Sequence, residues 1–115
     1  MASGVLLGGH VVVGDRANLG PGTVVHQRRV IGPDAMVGMG SVVTRDLPPF
    51  AKAFGTPARV HGVNAVGMGR QGISTADVAA LAELYGAGRD VVAHWPPAAS
   101  LAPALAWWRR HATAG

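Results

Sequence analysis

Residues 5–43 read VLLGGHVVVGDRANLGPGTVVHQRRVIGPDAMVGMGSVV, and an aliphatic side chain recurs at every sixth position of this stretch. The aliphatic series consists of Leu7, Val13, Leu19, Val25, Ile31, Val37 and Val43. Glycine follows five of these seven residues, and a mostly small residue lies two positions before each of them. A fixed short period that is held over seven units is typical of a solenoid built from stacked repeats.

The six-residue repeat predicts a parallel β-helix with a triangular cross-section. Each hexapeptide would form one short strand and one corner, and three hexapeptides would close a coil of about 18 residues, with successive coils about 4.8 Å apart. The aliphatic residue would point inward, and we expect the glycine after it to adopt a turn conformation that other residues disfavour. Proteins that this repeat resembles are left-handed. We therefore predict a mainly β fold, a short left-handed parallel β-helix of about 2–3 coils, followed by a small C-terminal α-helical segment.

The repeat stops after Val43, so we assign the β-helix coils to residues 1–46. The next segment contains Pro48-Pro49 and the sequence Gly55-Thr56-Pro57. Proline removes a backbone donor and biases the preceding residue towards extended conformations. We therefore predict an extended loop or linker over 47–73.

A helix N-capping sequence, Ser74-Thr75-Ala76-Asp77, follows this loop. It predicts a C-terminal helical segment over 74–115 that begins with a helix over about 75–86. We expect a second helix over about 101–112, capped at its start by Ser100.

A second series of residues precedes each inward aliphatic by one position, and we predict that its members point outward. Most of them are apolar, and outward apolar residues on a stacked face indicate a subunit interface. We therefore expect a homotrimer of β-helices packed side by side. The outward series consists of Leu6, Val12, Asn18, Val24, Val30, Met36 and Val42.

Composition and charge narrow the functional classes. The chain has no cysteine, which excludes disulfides, thiolate zinc sites and a cysteine nucleophile. The formal net charge is +4, which favours an acidic partner such as a phosphate or a carrier protein. The sequence shows no nucleic-acid-binding motif, no 18-residue apolar stretch and no basic leader. We therefore expect no nucleic-acid partner, no membrane span and a cytoplasmic location.

Two histidines in the repeat region are candidates for a general base, because imidazole titrates near neutral pH. His10 and His26 are 16 residues apart, two short of a full coil, so we expect them at the same edge of adjacent coils. Alternatively, both could merely cap strand edges or bond a neighbouring subunit. A zinc site needs three converging ligands. Only two histidines lie in the coils, and His61 follows in the predicted loop, so three ligands are not expected to converge. We therefore predict no metal and no cofactor.

Several segments carry a resemblance to a known family. Residues 40–50, GSVVTRDLPPF, and residues 55–59, GTPAR, resemble the end of the β-helix in hexapeptide acyltransferases. Residues 62–74, GVNAVGMGRQGIS, together with Gly9-His10 and Val25-His26-Gln27, resemble the C-terminal part of the UDP-N-acetylglucosamine O-acyltransferase family. The resemblance implies a trimer with active sites between subunits, which transfers an acyl chain from acyl carrier protein to a sugar hydroxyl.

The resemblance also implies roles for individual residues. The backbone N–H of Gly9 would stabilise an oxyanion, and His10, His26 and Gln27 would line the cleft. Arg28 and Arg29 directly follow His26-Gln27, and this position makes them candidates to dock an acidic acyl carrier protein or a coenzyme A phosphate. Alternatively, they could be outward charges on a corner or pair with Asp15 or Asp34. The residues implied to bind substrates are Gln27, Met36, Met39, Asn64 and Arg70, of which Met39 would limit the length of the acyl chain.

The sequence departs from this family in three ways. The family's general-base histidine belongs to a coil that precedes the coils matched here. Val66 stands where an acidic residue is expected, and Gln71 stands where a second arginine is expected. We therefore keep two hypotheses. The first is an acyltransferase that moves an acyl group from acyl carrier protein or acyl-coenzyme A to a small hydroxyl or amine acceptor. The second is a catalytically silent trimeric β-helix that binds an acyl carrier or completes a longer partner chain.

Overall fold

A computed structural model of the chain describes residues 3–112. The repeat region forms a left-handed parallel β-helix in which every hexapeptide contributes one two-residue strand. These strands are β1 (Leu6–Leu7), β2 (Val12–Val13), β3 (Asn18–Leu19), β4 (Val24–Val25), β5 (Val30–Ile31), β6 (Met36–Val37) and β7 (Val42–Val43).

The strands stack into the three faces of a prism. The first sheet contains β1, β4 and β7, the second contains β2 and β5, and the third begins with β3 and β6. Partners in adjacent coils are 18 residues apart, as in the pair Leu6 and Val24 and the pair Val12 and Val30. This spacing confirms the coil predicted from the six-residue repeat.

The structure carries the β-helix further than the sequence predicted. Leu47 pairs with Ile31, and β8 (Ala51–Gly55) pairs with β6 through Met36 and Lys52, which completes a third coil. These two pairs are 16 residues apart rather than 18, so the third coil is two residues shorter than the first two. The shortening breaks the six-residue phase, which is why the sequence pattern did not reveal this coil.

The predicted extended loop over 47–73 is therefore wrong. The segment holds β8, an antiparallel partner strand β9 (Ala58–Val63) and a short helix α1 (Ala65–Arg70). Pro48 and Pro49 do not prevent this because they lie in the corner before β8, where the Pro48 carbonyl accepts a hydrogen bond from the Ala51 N–H at 3.2 Å.

The inward aliphatics form the core of the prism. Leu19, Val25, Ile31, Val37 and Val43 are at most 4% exposed, whereas Leu7 in the first coil is 39% exposed. The outward series behaves as predicted at Leu6, which is 65% exposed, and at Met36, which is 37% exposed. Val30 differs, because it is only 2% exposed and lines the same groove as His111, at the end of the last helix.

The glycines after the inward aliphatics have a different role from the one we expected. Each corner of the first two coils contains one residue with positive φ, but that residue lies three positions after the inward aliphatic, as at His10 and Arg28. The glycines themselves allow close approach of the next coil. A Cβ at Gly8 would lie 2.5 Å from the Gln27 nitrogen, and one at Gly14 would lie 2.4 Å from the Pro33 nitrogen.

His26 occupies the position that glycine holds in most other corners. Its backbone N–H donates to the Val43 carbonyl at 2.9 Å, which continues the stacking of the first sheet. The third coil is two residues shorter than the others, and the shortening lies between Val43 and Leu47. We infer that this shortening leaves room for the Cβ of His26, which a full-length coil would exclude.

The C-terminal segment contains two helices, α2 (Thr75–Ala87) and α3 (Ala102–His111). Ser74 caps α2 as predicted, because its Oγ accepts the Asp77 N–H at 3.2 Å. Ser100 does not cap α3. It lies in a short 3-10 turn, Ala99–Leu101, and donates its hydroxyl to the Asp77 carboxylate at 3.0 Å.

The helices share a second hydrophobic core with the end of the β-helix. Met68, Leu81 and Leu101 are fully buried in this core, and Phe50 and Ala51 of the third coil pack into the same cluster. Within the described part of the chain, none of these helices is long and apolar enough to cross a membrane.

Candidate active-site residues

One corner of the prism, between the first and second sheets, holds most of the predicted catalytic residues. The Gly8 N–H donates to the Val25 carbonyl at 2.8 Å, and the Arg28 N–H donates to the Gly9 carbonyl at 2.9 Å. These bonds bring Gly9-His10 and His26-Gln27-Arg28 to the same corner on successive coils. Both histidine side chains are exposed.

The Gly9 N–H is available to an external acceptor, since it has no hydrogen-bond partner within residues 3–112. Two equivalent corner positions are occupied by Pro21 and Pro33, which have no N–H at all. The fold therefore does not require this donor for its own hydrogen bonds. Gly9 is exposed, and a Cβ there would meet no described atom within 4 Å.

His10 has a left-handed backbone, with φ of 61°, and borders an open groove of about 420 Å³. The groove is lined by His10, Val12, Arg28, Val30 and His111, and His26 is not part of it. The two candidate bases thus share a corner but do not line one cavity within a single chain.

The two arginines predicted to dock a carrier have different environments. Arg28 is exposed, and its φ of 62° places it in the left-handed region. The Arg29 side chain is only 20% exposed, and its Nη1 lies 3.8 Å from the Asp46 Oδ1. The same carboxylate oxygen accepts the Val30 N–H at 2.9 Å. Arg29 therefore helps to hold the shortened third coil, and only Arg28 presents its charge to solvent.

A second groove, of about 420 Å³, lies along the third sheet. It brings together three residues that the sequence assigned to substrate binding, namely Met36, Asn64 and Arg70. Met39 lies outside this groove and is 78% exposed in the corner after β6. The groove is also lined by Arg16, Asn18, Asp34, Val66, Gly67 and Gln71.

The Asn64 side chain is committed to the fold. Its Nδ2 donates to the Asp34 carbonyl at 2.9 Å, and its Oδ1 accepts the Gly67 N–H at 3.0 Å as the N-cap of α1. Asn64 thereby fixes the start of the helix that carries Arg70. Arg70 is exposed in the last turn of α1, where its charge is favourable to the helix dipole.

Sequence reasoning missed the ion pair between Arg16 and Asp34. The Arg16 Nε and Nη2 donate to the two carboxylate oxygens at 2.9 and 3.0 Å, and this bond raises the pKa of Arg16 above its usual range. Both residues line the third-sheet groove and a neighbouring cavity of about 370 Å³ beside α3. The sequence spacing could have predicted this ion pair, because the two residues are 18 apart and thus occupy the same corner of successive coils.

No group of three histidine, aspartate or glutamate side chains within residues 3–112 is arranged to hold a metal ion. His61, the third histidine considered for such a site, lies on β9 and stacks on Phe54 with ring centroids 3.7 Å apart.

Comparisons with known proteins identify relatives over most of the chain. A family model described as UDP N-acetylglucosamine O-acyltransferase, domain 2, matches residues 46–87. The acyl-[acyl-carrier-protein]–UDP-N-acetylglucosamine O-acyltransferase of Thiobacillus denitrificans is 45% identical over 84 residues, which are 73% of this chain and 33% of that protein. The enzyme of that name from Agrobacterium fabrum is 41% identical over 74% of this chain and 31% of its own length. The chain thus spans about a third of the length of the curated relatives it matches.

Solved structures agree with the sequence relatives. LpxA from Acinetobacter baumannii is similar with a TM-score of 0.69 and 31% identity, over 88% of this chain and 37% of that chain. PerB from Caulobacter crescentus, solved with CoA and GDP-perosamine, is similar with a TM-score of 0.51 and 47% identity, over 51% of this chain and 28% of that chain. The resemblance predicted from the sequence is therefore confirmed: over most of its length the chain is similar to a part of the UDP-N-acetylglucosamine O-acyltransferases.

Proposed function

We propose that this protein transfers an acyl group from a thioester, carried by acyl carrier protein or coenzyme A, to a hydroxyl or amine of a small acceptor. The observation that carries the proposal is the corner where an open Gly9 N–H lies beside two exposed histidines. Its relatives support the proposal, since one group is named for acyl carrier protein and a UDP-sugar and another was solved with CoA and a GDP-sugar.

In this proposal His10 or His26 accepts the proton of the attacking hydroxyl or amine. The acceptor atom bonds to the thioester carbon, and the carbonyl oxygen takes the electron pair as an oxyanion. The Gly9 N–H donates a hydrogen bond to that oxyanion, which lowers the barrier. When the carbonyl re-forms, the carbon–sulfur bond breaks and the imidazolium returns the proton to the leaving thiolate.

We further propose that the complete site forms between copies of the chain in a homotrimer. The groove with Met36, Asn64 and Arg70 follows the third sheet, whereas His10 and His26 lie at the corner between the first and second sheets. A threefold arrangement that packs the first sheet of one copy against the third sheet of the next would join the two groups. Arg70 would then hold an anionic part of the acceptor, and Arg28 would face the acyl donor.

Thioester turnover tests this proposal. Acyl carrier protein and coenzyme A thioesters would be incubated with the chain and with amine or sugar acceptors, and the free thiol would be measured. We expect His10→Ala or His26→Ala to lower the rate by about 100-fold or more, because general-base catalysis contributes roughly that much. His94→Ala is the matched control, since His94 is an exposed histidine on the C-terminal segment. If the parent and both variants release thiol only at the uncatalysed background rate, the proposal that the protein is an acyltransferase is wrong.

A catalytically silent trimeric scaffold is the second candidate. It is favoured by Val66 and Gln71, which stand in the third-sheet groove where the family resemblance implies an acid and an arginine. Such a scaffold would bind an acyl carrier protein or complete a longer partner chain. Saturable binding of acyl carrier protein without thiol release would support it, and absence of binding by either donor would exclude a scaffold that binds the acyl carrier.

A further inference from the structure

The groove beside His10 joins two residues that the acyl-transfer proposal uses, His10 and Arg28, to one that it does not use, His111. Its rim carries three nitrogen bases, His10 and Arg28 from the prism corner and His111 from the end of α3. Its remaining lining residues are Val12 and Val30, which are direct partners in the second sheet. No carboxylate lines the groove within residues 3–112, so nothing there neutralises the bases.

Arg28 is the charged centre of this groove. Arg16 and Arg29 are each paired with an aspartate, whereas the Arg28 side chain has no ion pair or hydrogen bond within residues 3–112. Its backbone is fixed by the hydrogen bond to the Gly9 carbonyl, and its guanidinium has five N–H donors. An unpaired guanidinium on the wall of a concave surface favours an anion that can accept several hydrogen bonds.

His111 is held in a defined orientation at the other side of the groove. Its Nδ1 lies 2.8 Å from the Trp107 carbonyl oxygen, and its ring stacks on that of Trp107 with centroids 4.2 Å apart. Because a carbonyl can only accept, the Nδ1 carries the proton, and the Nε2 is the atom left for a ligand. Protonated His111 would present an Nε2–H donor, and neutral His111 would present a lone pair.

We propose that His10, Arg28 and His111 form a binding site for a phosphate group of a small molecule. A phosphate has the charge and the acceptor oxygens to bond one guanidinium and two imidazolium donors together. The groove, of about 420 Å³, has room for a small anion and the molecule that carries it. The two valines would contact the carbon skeleton that bears the phosphate. Binding at the site can be measured without acyl transfer, and the residue that α3 supplies, His111, has no part in the acyl-transfer proposal.

The groups that face His111 across the groove are His10 and Arg28, and its own helix adds Arg109 and Arg110. All of these are basic, so no acidic side chain that lines the groove within residues 3–112 competes with an anion for the Arg28 guanidinium.

Imidazole NMR of the chain during titration with diphosphate tests the site directly. The resonances of His10 and His111 should shift saturably, while those of His26, His61 and His94 serve as internal references. Parallel titrations with inorganic phosphate, a sugar phosphate, coenzyme A and dephospho-coenzyme A would identify the preferred source of the phosphate.

Variants make the assignment to these residues specific. Arg28→Asn and His111→Gln should each weaken diphosphate binding about tenfold, since a hydrogen bond to a charged group contributes about that factor. Asparagine is chosen at position 28 because it tolerates the left-handed backbone. Arg109→Gln changes an exposed arginine of α3 outside the groove and should bind like the parent. Parent-like affinity in both groove variants, or equal shifts at all five histidines, would overturn the proposal.

Discussion

At the scale of single residues, two of the candidate functional side chains, His10 and Arg28, lie at strained backbone positions. Each corner of the first two coils has one residue with φ between 61° and 77°. Glycine fills three of these positions, while His10, Arg16, Arg28 and Asp34 fill the others. A residue with a Cβ costs about 1–2 kcal/mol in this conformation relative to glycine. Strain that persists at a few positions points to a role for their side chains.

This strain predicts that Arg28→Gly stabilises the protein. The substitution removes an unfavourable Cβ from a left-handed position and removes an arginine without an intrachain partner among residues 3–112. We expect the free energy of unfolding to rise by about 1 kcal/mol, as measured by urea denaturation. Diphosphate binding should weaken in the same variant.

Arg45→Gly is the matched control, because Arg45 is an exposed arginine of the third coil whose φ is not positive. Glycine there only adds freedom to the unfolded chain, so it should lower stability by about 0.5–1 kcal/mol. A loss of stability in Arg28→Gly equal to that in Arg45→Gly would contradict the strain argument.

At the scale of secondary-structure elements, α2 is attached to the third coil by a buried tyrosine. The Tyr85 hydroxyl donates to the Pro49 carbonyl at 2.6 Å, and the same core contains Phe50 and Ala51. Burial raises the pKa of Tyr85 well above its ordinary value of 10.0. The helical segment and the β-helix therefore share a contact that requires a neutral phenol.

The stability of the protein should therefore fall as the pH rises above about 10. Below that pH Tyr85 is protonated in both states and has no pH-dependent effect. Above it, the unfolded state releases the proton while the folded state retains it, which favours unfolding. Tyr85 is the single tyrosine, so the ultraviolet signal of tyrosinate reports it alone.

Tyr85→Phe should remove this part of the pH dependence and should lower stability near pH 7 by about 1 kcal/mol through the lost hydrogen bond. Urea denaturation at pH 7, 9 and 11 measures both effects. An identical decline between pH 9 and 11 in parent and variant would show that Tyr85 does not link these elements.

The sequence predicted the elements whose periodicity is unbroken. The inward aliphatics predicted the coils, and Ser74 predicted the start of α2. The third coil was not predictable because its shortening changes the period, and the Arg29–Asp46 pair was missed for the same reason, since its register depends on that coil. The position of His111 beside His10 depends on how α3 packs, which no local pattern encodes.

At the scale of the whole molecule, the three faces of the prism are not equivalent. The second sheet shares a groove with the end of α3, and Val30 on its outer surface is buried. The first sheet presents Leu6, Val24 and Val42 outward without full burial, and the third presents Met36 at 37% exposure. Two different apolar faces suit a ring in which each copy contacts the next head to tail.

We expect the chain to sediment at about three times its mass of 11.7 kDa at micromolar concentration. Val24→Glu places a charge in the middle of the first sheet's outer face and should yield monomers, because a buried unpaired charge is costly at an interface. Ala79→Glu introduces the same residue at an exposed position of α2 and should leave the assembly intact. A parent that sediments as a single chain would exclude the trimer.

The short third coil also determines where the solenoid stops growing. After β8 the chain reverses into β9, which pairs antiparallel with it and occupies the edge where a fourth coil of the third sheet would stack. Because β9 runs antiparallel, it does not offer the parallel edge on which another coil of the third sheet would stack. A coil added to the third sheet would therefore have to stack on β3, at the opposite edge.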